Sequence, residues 1–137
     1  MHPTRLRFYL LLVSFCLVHG GCSRPLVTVL INHLPRQAII TTNRQRYVIP
    51  QGLGAECGVI SPNGVGLVLS LGTNTYRYEA GPAEIPSGYV EHTAFGPPII
   101  CLQLESDLGL YLVPGGRRTP WESLPHQPVG FPIRPMR

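Results

Sequence analysis

Beyond its first 25 residues, this 137-residue chain has few side chains able to move protons. They are His33, His92 and His126 and the acids Glu56, Glu79, Glu84, Glu91, Glu105, Asp107 and Glu122. A hydrolytic site needs a nucleophile beside a base, or two carboxylates in contrasting environments. The sequence contains no Gly-x-Ser-x-Gly elbow, no Ser-x-x-Lys, no His-Glu-x-x-His and no phosphate-cradling glycine loop. Ser61 stands before Pro62 and reads as a turn residue. Glu91 and His92 are the one adjacent acid–imidazole pair, but neighbours on a strand point to opposite faces, so they read as a solvated edge. The scattered histidines lack Cys-x-x-Cys or His-x-x-x-His spacing, and neither a metal nor a cofactor is expected. An enzyme of unrecognised type stays a third possibility, behind two non-catalytic readings.

The first alternative to catalysis is recognition. Tyr47, Tyr76, Tyr78, Tyr89 and Tyr111 would suit an aromatic platform for a small ligand or a glycan. Tyrosines on strands also serve as half-buried packing with the hydroxyl reaching solvent. All eleven basic residues are arginine. Without Arg5 and Arg7, nine arginines face seven acids, a net of about +2, too little for nucleic acid to be the expected partner. Arg44 and Arg46 flank a turn and Arg117 and Arg118 are adjacent, positions at which solvated turn residues are ordinary.

The chain begins as an export signal does. Arg5 and Arg7 precede an eleven-residue apolar run at 8–18, and Gly20 and Gly21 follow. Such a run is too short for a membrane-spanning helix, which needs about 20 residues, and suits a signal peptide. His19, Gly20, Gly21 and Cys22 resemble the lipobox of bacterial lipoproteins, with the usual aliphatic residue replaced by His19 and Val18 one place earlier. The resemblance implies a lipid on Cys22, and Ser23 after it implies sorting to the outer membrane, facing the periplasm. Ordinary cleavage after Gly20, leaving Cys22 a plain thiol in a soluble periplasmic or secreted protein, is the alternative. On the lipoprotein reading the chain divides into a signal peptide (1–21), a lipidated tether (22–25), a β-domain (26–113) and a Pro-rich tail (114–137).

With Cys16 removed and Cys22 lipidated, Cys57 and Cys101 remain. In an oxidising compartment two cysteines read as one disulfide, closing a loop of about 45 residues and stabilising the domain by roughly 4 kcal/mol. Two buried free thiols are the other possibility.

The elements that must position these residues are short. Apolar and β-branched runs at 26–31, 37–42, 46–49, 55–60, 65–71, 75–79, 99–105 and 108–113 alternate with turn chemistry. The strongest turn signal is Ser61, Pro62, Asn63 and Gly64. A further edge strand fits within 89–94. Without a 3.6-residue apolar period, these runs predict an all-β fold, a small antiparallel β-sandwich or barrel of about eight short strands. Cys101 and Gln103 share a mixed face opposite Ile100, Leu102 and Leu104, so Cys101 is expected under a loop.

The tail holds six prolines in 24 residues, and Gly115, Gly116, Arg117 and Arg118 near its start look like a hinge. It favours extended conformations. Trp121, Leu124, Phe131 and Ile133 sit between the prolines as candidate partner-binding residues, with folding back onto the domain as the competing possibility. The leading expectation is a non-catalytic exported envelope lipoprotein, a β-sandwich tethered to the outer membrane that binds or positions another envelope or secretion-system component. A periplasmic binding module is the second.

Overall fold

A computed structural model describes residues 26–42, 45–60, 65–80 and 84–137. The leader, Cys22 and the tether, and the turn residues 43–44 and 61–64, lie outside the described residues. Runs of branched apolar residues stopped by Gly, Pro or Asn form β1 (Leu26–Asn32), β2 (Ala38–Thr41), β3 (Arg46–Ile49), β4 (Gly54–Ile60) and β5 (Val65–Leu71). They are followed by β6 (Asn74–Ala80), the two-residue β7 (Val90–Glu91), β8 (Ile99–Leu104) and β9 (Leu110–Val113). The fold is all-β and open: two sheets packed face to face, a sandwich and not a barrel.

One sheet has the order β3-β2-β5-β6, antiparallel throughout. Its β5–β6 hairpin closes through Gly72 and Thr73, with Gly72 at φ 60°, the positive angle that a type II′ turn needs at its first central residue. The other sheet has the order β4-β1-β8, and the far side of β8 is shared by β7 at Ile99 and Ile100 and by β9 from Cys101 to Leu104. The strands flanking 61–64 therefore belong to different sheets, since β4 pairs with β1 and β5 with β2 and β6.

The second sheet is mixed where an antiparallel one was expected. β1 and β8 run parallel, in register from Val27↔Ile99 to Asn32↔Leu104. Parallel neighbours require a long crossover. Here the crossover is residues 33–98, which include the whole four-stranded sheet.

Leu30, Ile100, Leu102 and Leu104 meet Ile40, Ile49, Leu69 and Tyr78 of the opposite sheet in the principal core. Each fully buried side chain of this size contributes roughly 1.5–3 kcal/mol. Asn32, also fully buried, stitches the sheets together: its side-chain N–H groups donate to the carbonyls of Arg36 (2.8 Å) and Ile49 (3.0 Å), and its Oδ1 accepts from the Leu34 N–H. Tyr78 donates its buried hydroxyl to the carbonyl of Leu108 at 2.7 Å, bracing a residue that sits at φ 63° in the β8–β9 turn. That left-handed conformation costs a non-glycine residue about 1–2 kcal/mol.

The expected Cys57–Cys101 disulfide does not form, and both cysteines are buried free thiols. β1 lies between β4 and β8, and two inter-strand spacings put those backbones about 10 Å apart, beyond the ~7 Å a disulfide spans. The two side chains also leave the sheet on opposite faces, Cys57 into the principal core and Cys101 into a second cluster outside it. Burial pushes the Cys57 thiol up to about 11. The folded protein thus keeps a proton that the unfolded chain releases from about pH 9, and stability falls as pH rises above that value. Under non-reducing conditions at pH 8, peptide-resolved mass spectrometry should find Cys57 and Cys101 unmodified by iodoacetamide in the native protein and both alkylated after denaturation.

Candidate functional site

β1 and β8 are apolar on both faces, so one sandwich partner cannot bury them. Val29, Ile31, Ile99, Cys101 and Val113 form a second buried cluster on the outer face of the mixed sheet. Trp121 and Leu124 of the Pro-rich tail pack onto it. Phe131 packs at the rim of the principal core and Ile133 lies within it, 6% exposed. All four candidate partner-binding residues thus contact their own domain, and the tail folds back over the sheet.

A proline-rich segment has few N–H groups to donate, and the domain holds this one through those that remain. The Trp121 N–H donates to Oε1 of the fully buried Gln103 (2.8 Å), while Gln103 Nε2 donates to the Trp121 carbonyl (2.9 Å). Gln127 does the reverse from the tail, accepting from the Leu112 N–H (2.8 Å) and donating to its carbonyl (3.0 Å). Leu110 and Ile133 exchange both backbone hydrogen bonds. The outer edge of β9, otherwise a template for pairing with another chain, is therefore covered. The Met136 N–H reaches the Arg77 carbonyl of β6 at 2.8 Å, so the tail joins the two sheets.

The expected hinge at Gly115 and Gly116 is a close crossing. A Cβ on Gly115 would stand 2.6 Å from Cβ of Glu91 on β7, and Gly116 has φ 90°. The Glu91 carboxylate accepts from the Gly116 N–H at 2.9 Å and lies 3.6 Å from Arg118. Arg117 covers the Trp121 ring at 4.5 Å. Cys101 lies under this crossing, as its mixed face led one to expect. Burial raises its thiol above the ordinary range, partly offset by Arg118, whose Nη1 lies 3.8 Å from the sulfur.

The parallel register also creates an acid–imidazole pair. His33 and Glu105 each directly follow the last residue of β1 and β8, and His33 Nδ1 lies 2.8 and 3.0 Å from the two Glu105 carboxylate oxygens. The side chains are 32% and 18% exposed. Gln103 Nε2 donates its other hydrogen to Glu105, linking the pair to Trp121. A carboxylate-held imidazole is half of an acid–base device; the other half is a hydroxyl or thiol within its reach. The His33 Nδ1–H donates to the Glu105 carboxylate, which also accepts from Gln103, so the pair is continuous with the residue that holds the tail. Of Glu91 and His92, the pair expected on a solvated edge, His92 is exposed beyond the end of β7, whereas Glu91 is held by Arg118 and the Gly116 N–H under the tail crossing.

A second polar cluster lies on the β8–β9 turn, where Arg134 Nη1 meets Asp107 at 2.7 Å and Tyr111 donates to the same carboxylate. Burial raises the Asp107 carboxyl, but hydrogen bonds from Tyr111, the Gly109 N–H and Arg134 outweigh it and hold it below the usual carboxylate range. Its contribution to stability is full above that range and fades as pH falls through the depressed value. The five tyrosines do not assemble into one platform. Tyr78 is fully buried, Tyr47, Tyr76 and Tyr89 pack against the principal core, and Tyr111 stands apart beside Arg134.

No family model matches this chain, and neither a curated protein nor a solved structure matches it.

Removing the tail after Val113 would expose the second cluster and the β9 edge together, and should produce a large loss of melting temperature or an insoluble product. Gln103→Leu should reproduce part of this, because it leaves the N–H and carbonyl of Trp121 unpaired at about 1–3 kcal/mol each. Thermal unfolding by circular dichroism measures both; an unchanged midpoint in Gln103→Leu would show that the clamp is dispensable.

Proposed function

We propose that this protein is a non-catalytic exported lipoprotein, a β-sandwich held at the outer membrane by lipid on Cys22. In this reading it binds or positions another component of the envelope or of a secretion system. The observation that carries the reading is the segment from Arg5 to Cys22: a basic start, an eleven-residue apolar run at 8–18, then Gly20, Gly21 and Cys22. Three features of the domain support it. β1 begins at Leu26, so only three residues separate it from the lipidated cysteine. β1 is hydrogen-bonded on both sides, to β4 and β8, and a pull on the tether is resisted by two ladders. The tail covers one sheet edge, which suits a domain held at high local density on a surface. Multiple acyl chains give the stable attachment that a single chain does not.

The His33–Glu105 pair supports the non-catalytic half of the reading, since the carboxylate that holds His33 is itself held by Gln103, which grips the tail. The mature protein should begin at Cys22 and carry the mass of its acyl groups, and Cys22→Ala should move it from the membrane to the soluble periplasmic fraction. Intact-mass analysis of the mature N-terminus, with fractionation of both forms, checks this. An unmodified N-terminus at Gly21 would refute the lipoprotein assignment.

A further inference from the structure

We infer that the loop 92–98 is a second membrane contact, with Phe95 entering the interfacial layer of the bilayer to which Cys22 is anchored. The inference rests on the lipoprotein reading and adds to it an orientation for the domain. Phe95 is 105% exposed, a large aromatic ring wholly in water. An exposed apolar residue is ordinary by itself; its position is the argument.

The loop leaves β7 at Glu91 and enters β8 at Ile99, two residues paired with each other. Ile99 is also paired in parallel with Val27 at the start of β1, and the Val27 N–H donates to the carbonyl of Pro98 at 2.9 Å. The loop and the tether therefore leave the sandwich at the same end. From Cys22 to Leu26 the chain reaches at most about 14 Å, so this end is held against the headgroups. The opposite end, with the β8–β9 turn, lies farther away by the length of β1, about 20 Å.

The loop is built to present the ring. The Gly96 N–H donates to Thr93 Oγ1 at 3.0 Å, and a Cβ at Gly96 would come within 2.6 Å of that oxygen, so the turn closes tightly around Phe95. Pro97 and Pro98 stiffen its return. Residues 92–98 contain no carboxylate to repel an anionic surface. Glu91, the nearest acid, is engaged by Arg118 and the Gly116 N–H. Phe is among the apolar side chains that membrane-surface segments bury at the headgroup–acyl boundary, and a tethered domain meets that boundary at high effective concentration, so a preorganised ring there biases its tilt. The lipid supplies affinity and the loop supplies direction.

The test uses the full lipidated chain in vesicles of phosphatidylethanolamine and phosphatidylglycerol containing a doxyl-labelled phosphatidylcholine. An environment-sensitive fluorophore is placed on Ala94→Cys, or on Ser106→Cys in the far turn; both positions are exposed, while Cys57 and Cys101 are buried. Doxyl quenching should be several-fold stronger at 94 than at 106. Adding Phe95→Asp to Ala94→Cys should lower quenching at 94 several-fold without moving the thermal midpoint. Equal quenching at both positions with acylated Cys22, or quenching at 94 unchanged by Phe95→Asp, would overturn the loop contact and leave the lipoprotein reading standing. In the second case a protein partner becomes the occupant to seek for Phe95. A chain whose Cys22 carries no lipid would overturn both.

Discussion

Two-sided burial of the parallel pair β1 and β8 is the constraint from which the rest of this protein follows. All six residues of β8 are buried, as are five of the seven in β1. Ile100, Leu102 and Leu104 are satisfied by the opposite sheet, but Ile99, Cys101 and their neighbours Val29 and Ile31 need a cover of their own. A strand buried on both faces is usual in parallel sheets flanked by helices. This chain has no helix to spare for that purpose among its described residues, and covers the outer face with a proline-rich tail.

A tail of this kind fits the task poorly until the polar groups are counted. Prolines fix φ and lower the entropy lost on ordering, but they cannot donate hydrogen bonds. Gln103 and Gln127 make up the deficit, one from the sheet and one from the tail, each giving a donor and an acceptor to a single backbone residue. Gln103 is held in turn by Glu105, which also engages His33. What resembles half of an acid–base device is therefore continuous with the clamp on Trp121. The same parallel register that brings His33 to Glu105 also places the start of β1 beside the loop carrying Phe95.

The fold class was legible because its signals are local. Branched apolar runs bounded by Gly, Pro and Asn marked nearly every strand, and the antiparallel pairing of β2 with β3, β5 with β6 and β8 with β9 follows from short connections between adjacent strands. The mixed face of β8 was legible too, since alternation separates Cys101 and Gln103 from Ile100, Leu102 and Leu104 whatever the strand pairs with. The apolar residues of the tail could be recognised as needing burial, but whether their own domain or another molecule would bury them could not.

What the sequence determined by itself was thus the all-β character and the approximate places of the strands, each written within a few consecutive residues. Only the tertiary structure decided which strands pair. That choice depends on closing long loops and on matching two apolar faces at once, and no short window of sequence carries it. It made β1 and β8 parallel neighbours, interposed β1 between Cys57 and Cys101, joined His33 to Glu105 across 72 positions, and turned the proline-rich tail into the second wall of the core.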